Sequence, residues 1–407
     1  MLELDPTQLY IIGVSGGCDS MALLDMTVKK GYKVVVAHVN YNLRHDTDVD
    51  YKVVHEYCDR HNVPFAYKAF TPEDYPEGNF QAVARDMRYA FYKELYDKYQ
   101  AKAVLLAHHK DDVLETVYMQ KERGGLYSYY GIEEKTTIMS MTIIRPLLDY
   151  RKQELRSYCE ENRILYHDDY TNFETHFHRD LVRNTILNTF TKEEEESLLH
   201  YAYIQNKHRE ETYKSLLPYL DIYHREGKIY IEDIPISLRE SFYYEILHEV
   251  MPYHAFSKNF IKEVDKQLST THPNINMMIH NYHIIKEYGY IYLTDTLPEG
   301  YSYTFDEWVP FTCKYFTLSR TGEMNHGIPL KEEDFPITIR SYKLGDIIKT
   351  KGGTKKVRRL FINAKIPSLK RQIYPLLVNK NGEILLIPGI AKNKEYLSTN
   401  PDYFVIQ

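Results

Sequence analysis

The first third of the chain alternates short apolar runs with longer stretches of helical period. Residues 9–14, 33–39, 65–70 and 102–107 predict strands. Between them, residues 20–30, 48–61 and 79–99 predict helices, each long enough to carry the chain back across a sheet. Strands alternating with helices predict parallel crossover units, so the fold class is α/β with a doubly wound parallel sheet. In the third helix Val83, Met87, Phe91 and Leu95 predict the sheet-facing stripe, which leaves Arg85, Arg88 and Tyr92 on another face.

The pattern changes near Thr191. Thr191-Lys192-Glu193-Glu194 predicts a capping box opening a long helix, with Leu198, Tyr201, Ala202 and Gln205 on a repeating spacing. The acidic run 193–196 reads as helix-start charge on a solvated face. A domain boundary is placed there, giving residues 1–190, a mainly helical part over 191–297 with a hairpin turning near Gly289, and a small α+β module over 298–407. In the last part, runs such as 383–387 and 403–406 predict strands separated by Gly, Pro and Asn.

Composition narrows the function classes. A chain of 407 residues has room for two or three domains of about 150 residues. The 51 Lys and Arg against 57 Asp and Glu leave −6, which excludes a uniformly basic nucleic-acid coat and directs attention to local charge. No apolar run approaches the ~18 residues of a membrane span, and the N-terminus lacks a basic leader region, so a cytoplasmic protein with no membrane partner is expected. Cys18, Cys58, Cys159 and Cys313 form no C-x-x-C pair. The 39 tyrosines against one tryptophan suit half-buried strands and cores as well as base stacking. Residues 340–372 carry eleven Lys or Arg against Asp346 alone, a local +10, interleaved with Leu360, Phe361, Ile362 and Ile366. That concentration predicts a folded polyanion-binding surface that includes Lys355, Lys356, Arg358 and Arg359.

The most informative segment is Val14-Ser15-Gly16-Gly17-Cys18-Asp19-Ser20, which leaves a strand and opens a helix. Glycines allow an anion to approach the main chain, and the helix N-terminus favours phosphate. Neither G-x-x-x-x-G-K-[ST] nor G-x-G-x-x-G is present, so a P-loop hydrolase and a dinucleotide dehydrogenase lose support. Asp19 beside polyphosphate is repulsive unless a divalent cation lies between, which predicts Mg²⁺ held jointly by Asp19 and phosphate oxygens. A second segment, 108–116, marks the exit of the fourth strand into a helix at the same sheet edge, where ligands bind. Asp112 with Glu115 three residues on also reads as a capping box there, and His108 as a strand-end histidine.

Ser-Gly-Gly-x-Asp-Ser after the first strand resembles the pyrophosphatase loop of the ATP pyrophosphatase superfamily, whose members split ATP into AMP and pyrophosphate on an adenine nucleotide hydrolase-like domain. Within it, His38-Val39-Asn40-Tyr41-Asn42-Leu43-Arg44 is similar to the His-Val-Asn-His-Gly-Leu-Arg segment of tRNA(Ile)-lysidine synthases, with Tyr41 in place of histidine and Asn42 in place of glycine. Asn tolerates the left-handed backbone better than most residues. The segments 84–89, 107–116, 123–126 with Gly131-Ile132, 145–148, 168–172 and 178–184 also resemble that family, with Asp180 where asparagine is usual. So do 355–367 and Pro388-Gly389 near the end.

The resemblance implies an ATP-dependent carbon–nitrogen ligase, with residues 1–190 catalytic and 191–297 and 298–407 binding tRNA. It implies that a wobble cytidine of tRNA(Ile) with a CAU anticodon is adenylated and then joined to L-lysine. ATP would meet Ser15, Gly16, Gly17, Cys18, Asp19, Ser20, His38 and Asn40, with Mg²⁺ on Asp19. Asp19, Arg85, Arg88, His108 and Asp112 are the expected catalytic residues; either His108 or Asp112 would serve the lysine amine, and either Arg85 or Arg88 the phosphates or base. Arg44, Asp111, Glu115, Arg179, Arg183, Lys355, Lys356, Arg358 and Arg359 are the expected substrate contacts. The reading leaves a homodimer open. A PP-loop thiolase is the nearest rival, although no suitably paired cysteines are present and Cys18 stands alone in the loop; a non-catalytic nucleotide-sensing RNA-binding module is another.

Overall fold

The computed structural model describes residues 3–42, 47–71, 80–167, 182, 187–252, 254, 256–398 and 400–407. Strands β1 (Leu9–Gly13), β2 (Lys33–Asn40), β3 (Phe65–Ala69) and β4 (Ala103–Leu105) form where the apolar runs predict them. They pair in parallel, and a hairpin of β5 (Lys135–Ile138) and β6 (Met141–Ile144) completes a six-stranded sheet of order β3-β2-β1-β4-β6-β5. The strand β5 is antiparallel and closes one edge, an addition that periodicity in the first hundred residues does not announce.

Alternation sends Tyr10, Ile12 and Val14 to one face and Ile11 to the other. Helices α1 (Cys18–Lys29), α2 (Thr47–His61) and α5 (Lys152–Glu161) pack on the first face, and α3 (Phe80–Lys98) on the second. Because both faces are covered, β1 and β2 are near-continuous apolar runs. The sheet-facing stripe of α3 is broader than predicted. Phe91 and Leu95 are buried, Val83 and Met87 only half-buried, and Tyr92 joins the core instead of lying beside Arg85. The reason is a close approach: a Cβ added to Gly13 would stand 2.3 Å from the Tyr92 hydroxyl, so a bare strand backbone admits a ring there.

Three helices are tied together beneath the sheet by Asp25, whose side chain is only 4 % exposed. It accepts from the Tyr57 hydroxyl at 2.8 Å and the Tyr158 hydroxyl at 2.6 Å, and pairs with Lys29 at 2.9 Å. Burial opposes its charge, but Tyr158, Lys29 and Tyr57 together hold the carboxyl below its ordinary range. A depressed carboxyl adds stability that is present above its unfolded pKa and lost as pH falls through the folded one. Asp25→Ala leaves two tyrosine hydroxyls without their acceptor, at roughly 2–4 kcal/mol. The expected outcome is a melting midpoint lowered by about 5–15 °C at neutral pH, with a smaller gap in acid; equal midpoints at pH 7 would contradict it.

Beyond the sheet, Thr191 caps α6 (Lys192–Glu226) in the predicted box: its N–H donates to Glu194 Oε2 at 2.7 Å and its Oγ1 accepts the Glu194 N–H at 3.2 Å. The chain forms two compact units, Met1–Thr212 with Ala255–Lys258, and Tyr213–His254 with Asn259–Gln407, the division falling inside this helix. The second unit contains α7 (Ile236–Val250), most of α8 (Lys258–Leu268) and a four-stranded sheet of β7 (Ile229–Tyr230), β10 (Tyr290–Thr294), β9 (Tyr282–Glu287) and β8 (Asn274–Ile279) in that order. The turn near Gly289 joins β9 to β10 through Tyr288 and Gly289 at φ of 50° and 90°, the doubly left-handed geometry a tight hairpin favours. The remainder builds two antiparallel sheets and the hairpin of Ile347–Thr350 with Gly353–Lys356, whose second strand is exposed. Among the described residues no helix is long and apolar enough to cross a membrane.

Candidate active site

Strand order reverses between β1 and β4, and in an open α/β sheet a crevice lies outside the carboxyl ends at such a point. Two loops meet it. One runs from β1 through Ser15, Gly16 and Gly17 into α1; the other leaves β4 and enters α4 (Lys110–Arg123) at His109.

The first loop is tightly set. Ser20 Oγ donates to the Gly17 carbonyl at 2.9 Å and accepts the Ser15 N–H at 3.1 Å. Gly16 has φ of 98°, and an added Cβ would sit 3.1 Å from the Asp50 backbone. From outside, the His167 N–H donates to the Gly16 carbonyl at 3.0 Å while its Nδ1 lies 2.8 Å from Asp50 Oδ1. Asp50 and His167 therefore brace the cradle, and neither belongs to the segments singled out in the sequence. The Cys18 thiol is buried, so Cys18 meets the loop through its backbone.

Around the second loop, His109 is the centre of a charged cluster. Its ring is 3 % exposed, with Nε2 at 3.5 Å from both Asp19 Oδ2 and Asp112 Oδ2, and Nδ1 at 3.5 Å from Asp111 Oδ2. Burial opposes the imidazolium, but Asp111, Asp19 and Asp112 outweigh it and raise the pKa to about 9. Asp111 pays a desolvation penalty and is nevertheless held at about 2 by His109, the Lys152 N–H at 2.8 Å and Arg151 at 3.0 Å. Arg151 also reaches Glu195 at 2.7 Å in the first turn of α6. The helix box is not Asp112 with Glu115. His109 is the N-cap, and its N–H donates to Asp112 Oδ2 at 3.0 Å, so the box lies three residues earlier than the sequence suggested. Glu115 is fully buried within α4. His108 is half-buried beside the cluster. His109 was missed; the three-residue spacing from His109 to Asp112 is the signal that identifies it.

Asp19 Oδ1 is buried and has no hydrogen-bond partner, an arrangement a cation would satisfy. Among the described residues no three His, Cys, Asp or Glu side chains are grouped to hold a metal ion by themselves. A Mg²⁺ bound here would thus draw on phosphate oxygens and water as well as Asp19.

At the end of β2, His38 Nδ1 lies 2.8 Å from the Val14 carbonyl, and its ring stacks on Tyr67 at 5.8 Å. Burial lowers its pKa against the opposing pull of that carbonyl and of Asp50. Donation from Nδ1 leaves Nε2 an acceptor, and Nε2 is buried with no partner. Asn40 donates to the Tyr67 hydroxyl and accepts the Asn42 N–H at 2.8 Å. Asn42 adopts φ of 49°, the conformation its place in the motif calls for. Tyr41 donates to the Ala84 carbonyl at 2.9 Å, which ties this strand end to α3. On α3, Arg85 is exposed with its guanidinium 4.9 Å from the Tyr89 ring centroid, while Arg88 is half-buried among Tyr92, Tyr41 and Tyr89. The two arginines therefore meet different surroundings although they lie one turn apart. Arg44, Arg179 and Arg183, and the segments 168–172 and 178–181, lie outside the described residues.

In the second unit Lys355, Lys356, Arg358 and Arg359 are all exposed, the first two on the hairpin and the others opening the helix Val357–Asn363. Three of the eleven basic residues serve the fold instead. Arg340 makes a two-pronged pair with Asp346 at 2.7 and 2.8 Å, Lys349 pairs with Glu383 at 2.5 Å, and Arg371 donates to the Ile366 carbonyl and the Tyr288 hydroxyl.

Two stretches of the chain match known protein families. Residues 2–190 match the family described as the PP-loop domain, and residues 337–405 the TilS substrate C-terminal domain. The chain is 29 % identical to a tRNA(Ile)-lysidine synthase of Exiguobacterium sibiricum, over 94 % of this chain and 93 % of the relative. Proteins of the same name from Bacillus subtilis and Thermosipho africanus are each 28 % identical, over 98 % and 97 % of this chain and 93 % and 92 % of their own lengths. With both families matched on one chain and relatives of one name aligned along nearly all of it, the chain belongs to the tRNA(Ile)-lysidine synthase family of PP-loop proteins.

Proposed function

We propose that this ATP-using ligase joins L-lysine to the 2-carbon of the wobble cytidine of tRNA(Ile) with a CAU anticodon, releasing AMP and pyrophosphate. The cytosine 2-oxygen attacks the α-phosphorus of ATP, and the bond to pyrophosphate breaks. The lysine ε-amine then attacks the 2-carbon, and AMP leaves with the oxygen. The observation that carries the reading is Asp19, whose partnerless Oδ1 lies at the mouth of a glycine cradle set at the sheet's switch point. When bound, Mg²⁺ would offset the charge of the phosphate chain.

Residues 15–20 and the first amides of α1 hold the pyrophosphate end, with His38 and Asn40 bordering the nucleotide. Arg85 or Arg88 steadies phosphates or base. A free lysine amine has a pKa of ~10.4, so baring its lone pair at pH 7 costs about 4–5 kcal/mol. His108 or Asp112 is the acceptor assigned to that proton, with Asp111 beside them, whereas Glu115 is buried away from the substrate. Arg44, Arg179, Arg183, Lys355, Lys356, Arg358 and Arg359 take the tRNA. In this reading the chain works in the cytoplasm as three domains, 1–190, 191–297 and 298–407; a homodimer is compatible with it and not required.

Incubation with ATP, Mg²⁺, labelled lysine and fractionated tRNA is the test. AMP release that depends on lysine, with label entering only the CAU-anticodon isoleucine tRNA, is expected. Sulfur-dependent AMP release would instead assign a thiolase, and absence of AMP a nucleotide sensor.

A further inference from the structure

The second unit holds a groove of about 510 Å³ at the tip of the β9–β10 hairpin, lined by Tyr288, Tyr290 and Tyr292 together with Lys228, Lys365 and Pro367. Its polar groups are unequally committed. Tyr292 donates to Glu287 Oε2 at 2.9 Å, and Glu287 Oε1 accepts from Ser368 Oγ at 2.6 Å and the Leu369 N–H at 2.8 Å. The acid at the groove's base is thus buried and engaged at both oxygens. The Tyr288 hydroxyl accepts from Arg371 at 2.7 Å. Tyr290 is different: the residue is 43 % exposed.

That ring is also held in place. Tyr230 packs edge-on against it, centroids 5.3 Å apart and planes at 62°. An added Cβ at Gly289 would lie 2.3 Å from the Tyr230 ring, so the hairpin tip has no slack. The Lys228 ammonium stands 4.8 Å from the Tyr290 centroid, and both Lys228 and Lys365 are exposed. A buttressed, part-exposed aromatic ring with exposed cations at its rim suits a planar group attached to an anion. The volume is that of a small-ligand site, and a base can reach such a face only when it is not paired in a duplex.

We propose that this groove binds one unpaired nucleotide of the tRNA, its base stacked on Tyr290 and its phosphates answered by Lys228 and Lys365. The inference rests on the tRNA-ligase reading above. As the base arrives, the Lys228 ammonium exchanges the ring face for phosphate, so the positive charge is kept close to the backbone it must neutralise.

Filter binding of the tRNA to the full chain tests this. Tyr290→Ala weakens tRNA binding by about tenfold or more, since base stacking is lost, while Tyr290→Phe stays within about twofold. Lys228→Gln makes the dependence of log K on log salt shallower by about 0.7, as removal of one single-strand phosphate contact requires. Equal affinity of Tyr290→Ala and the unaltered chain, an equal loss in Tyr290→Phe, or an unaltered salt slope in Lys228→Gln each overturns the groove assignment. Failure of the unaltered chain to bind tRNA would count against the ligase reading itself, which separates the two.

Discussion

Asp19→Asn lowers ATP-dependent AMP formation by about a hundredfold to a thousandfold, the scale of losing one aligned charge at a developing anion. The side chains are nearly isosteric, so the cradle and α1 keep their shape. What changes is Oδ1, which is buried without a partner and so retains its full appetite for a cation. A carboxamide offers a metal-bound phosphate chain a neutral oxygen at best, and an N–H at worst. The helix end loses an acidic residue, worth only a few tenths of a kcal/mol. Pyrophosphate release at saturating ATP and tRNA measures the effect, with the tRNA dissociation constant unchanged as the control. Turnover within about threefold of the unaltered chain would remove Asp19 from the chemistry.

His109→Gln is the second large effect, and it acts on stability and rate together. The imidazolium lies among three carboxylates from two loops, and removing it leaves Asp19, Asp111 and Asp112 to repel one another. Breaking a buried charge arrangement in this way costs about 3–5 kcal/mol. The nucleotide-free protein should melt about 6–20 °C lower, and added Mg²⁺ should raise the variant's midpoint more than the parent's, because the cation replaces a lost positive charge. Adenylation falls about a hundredfold, since Asp19 is no longer held where it was. Here His109 is a positioning residue. A variant whose melting and Mg²⁺ response match the parent would show that the cluster does not anchor Asp19.

Much of the scaffold was readable from local pattern. The four parallel strands and the helices between them follow from apolar runs and helical period, and Thr191 capped its helix through the side-chain exchange that its spacing to Glu194 implies. Asn42 took the left-handed conformation suited to its motif position. Other features were not readable. Tyr92 left the polar face assigned to it because a glycine on a neighbouring strand made room. The β5–β6 hairpin is placed by pairing of β6 with β4, and β7 by pairing with β10, distant partners that no short window contains.

The same division holds at the site. Local chemistry alone determined that residues 15–20 form a glycine turn opening a helix with an acid in its first turn, since a glycine's backbone freedom and a helix N-terminus are properties of a few adjacent residues. Only tertiary structure decided that His109, and not His108, stands among Asp19, Asp111 and Asp112, and that Asp50 and His167 brace Gly16. Apart from the local pairs of His109 with Asp111 and Asp112, those contacts join segments far apart in the chain, and their distances are set by tertiary packing, which residue order does not display.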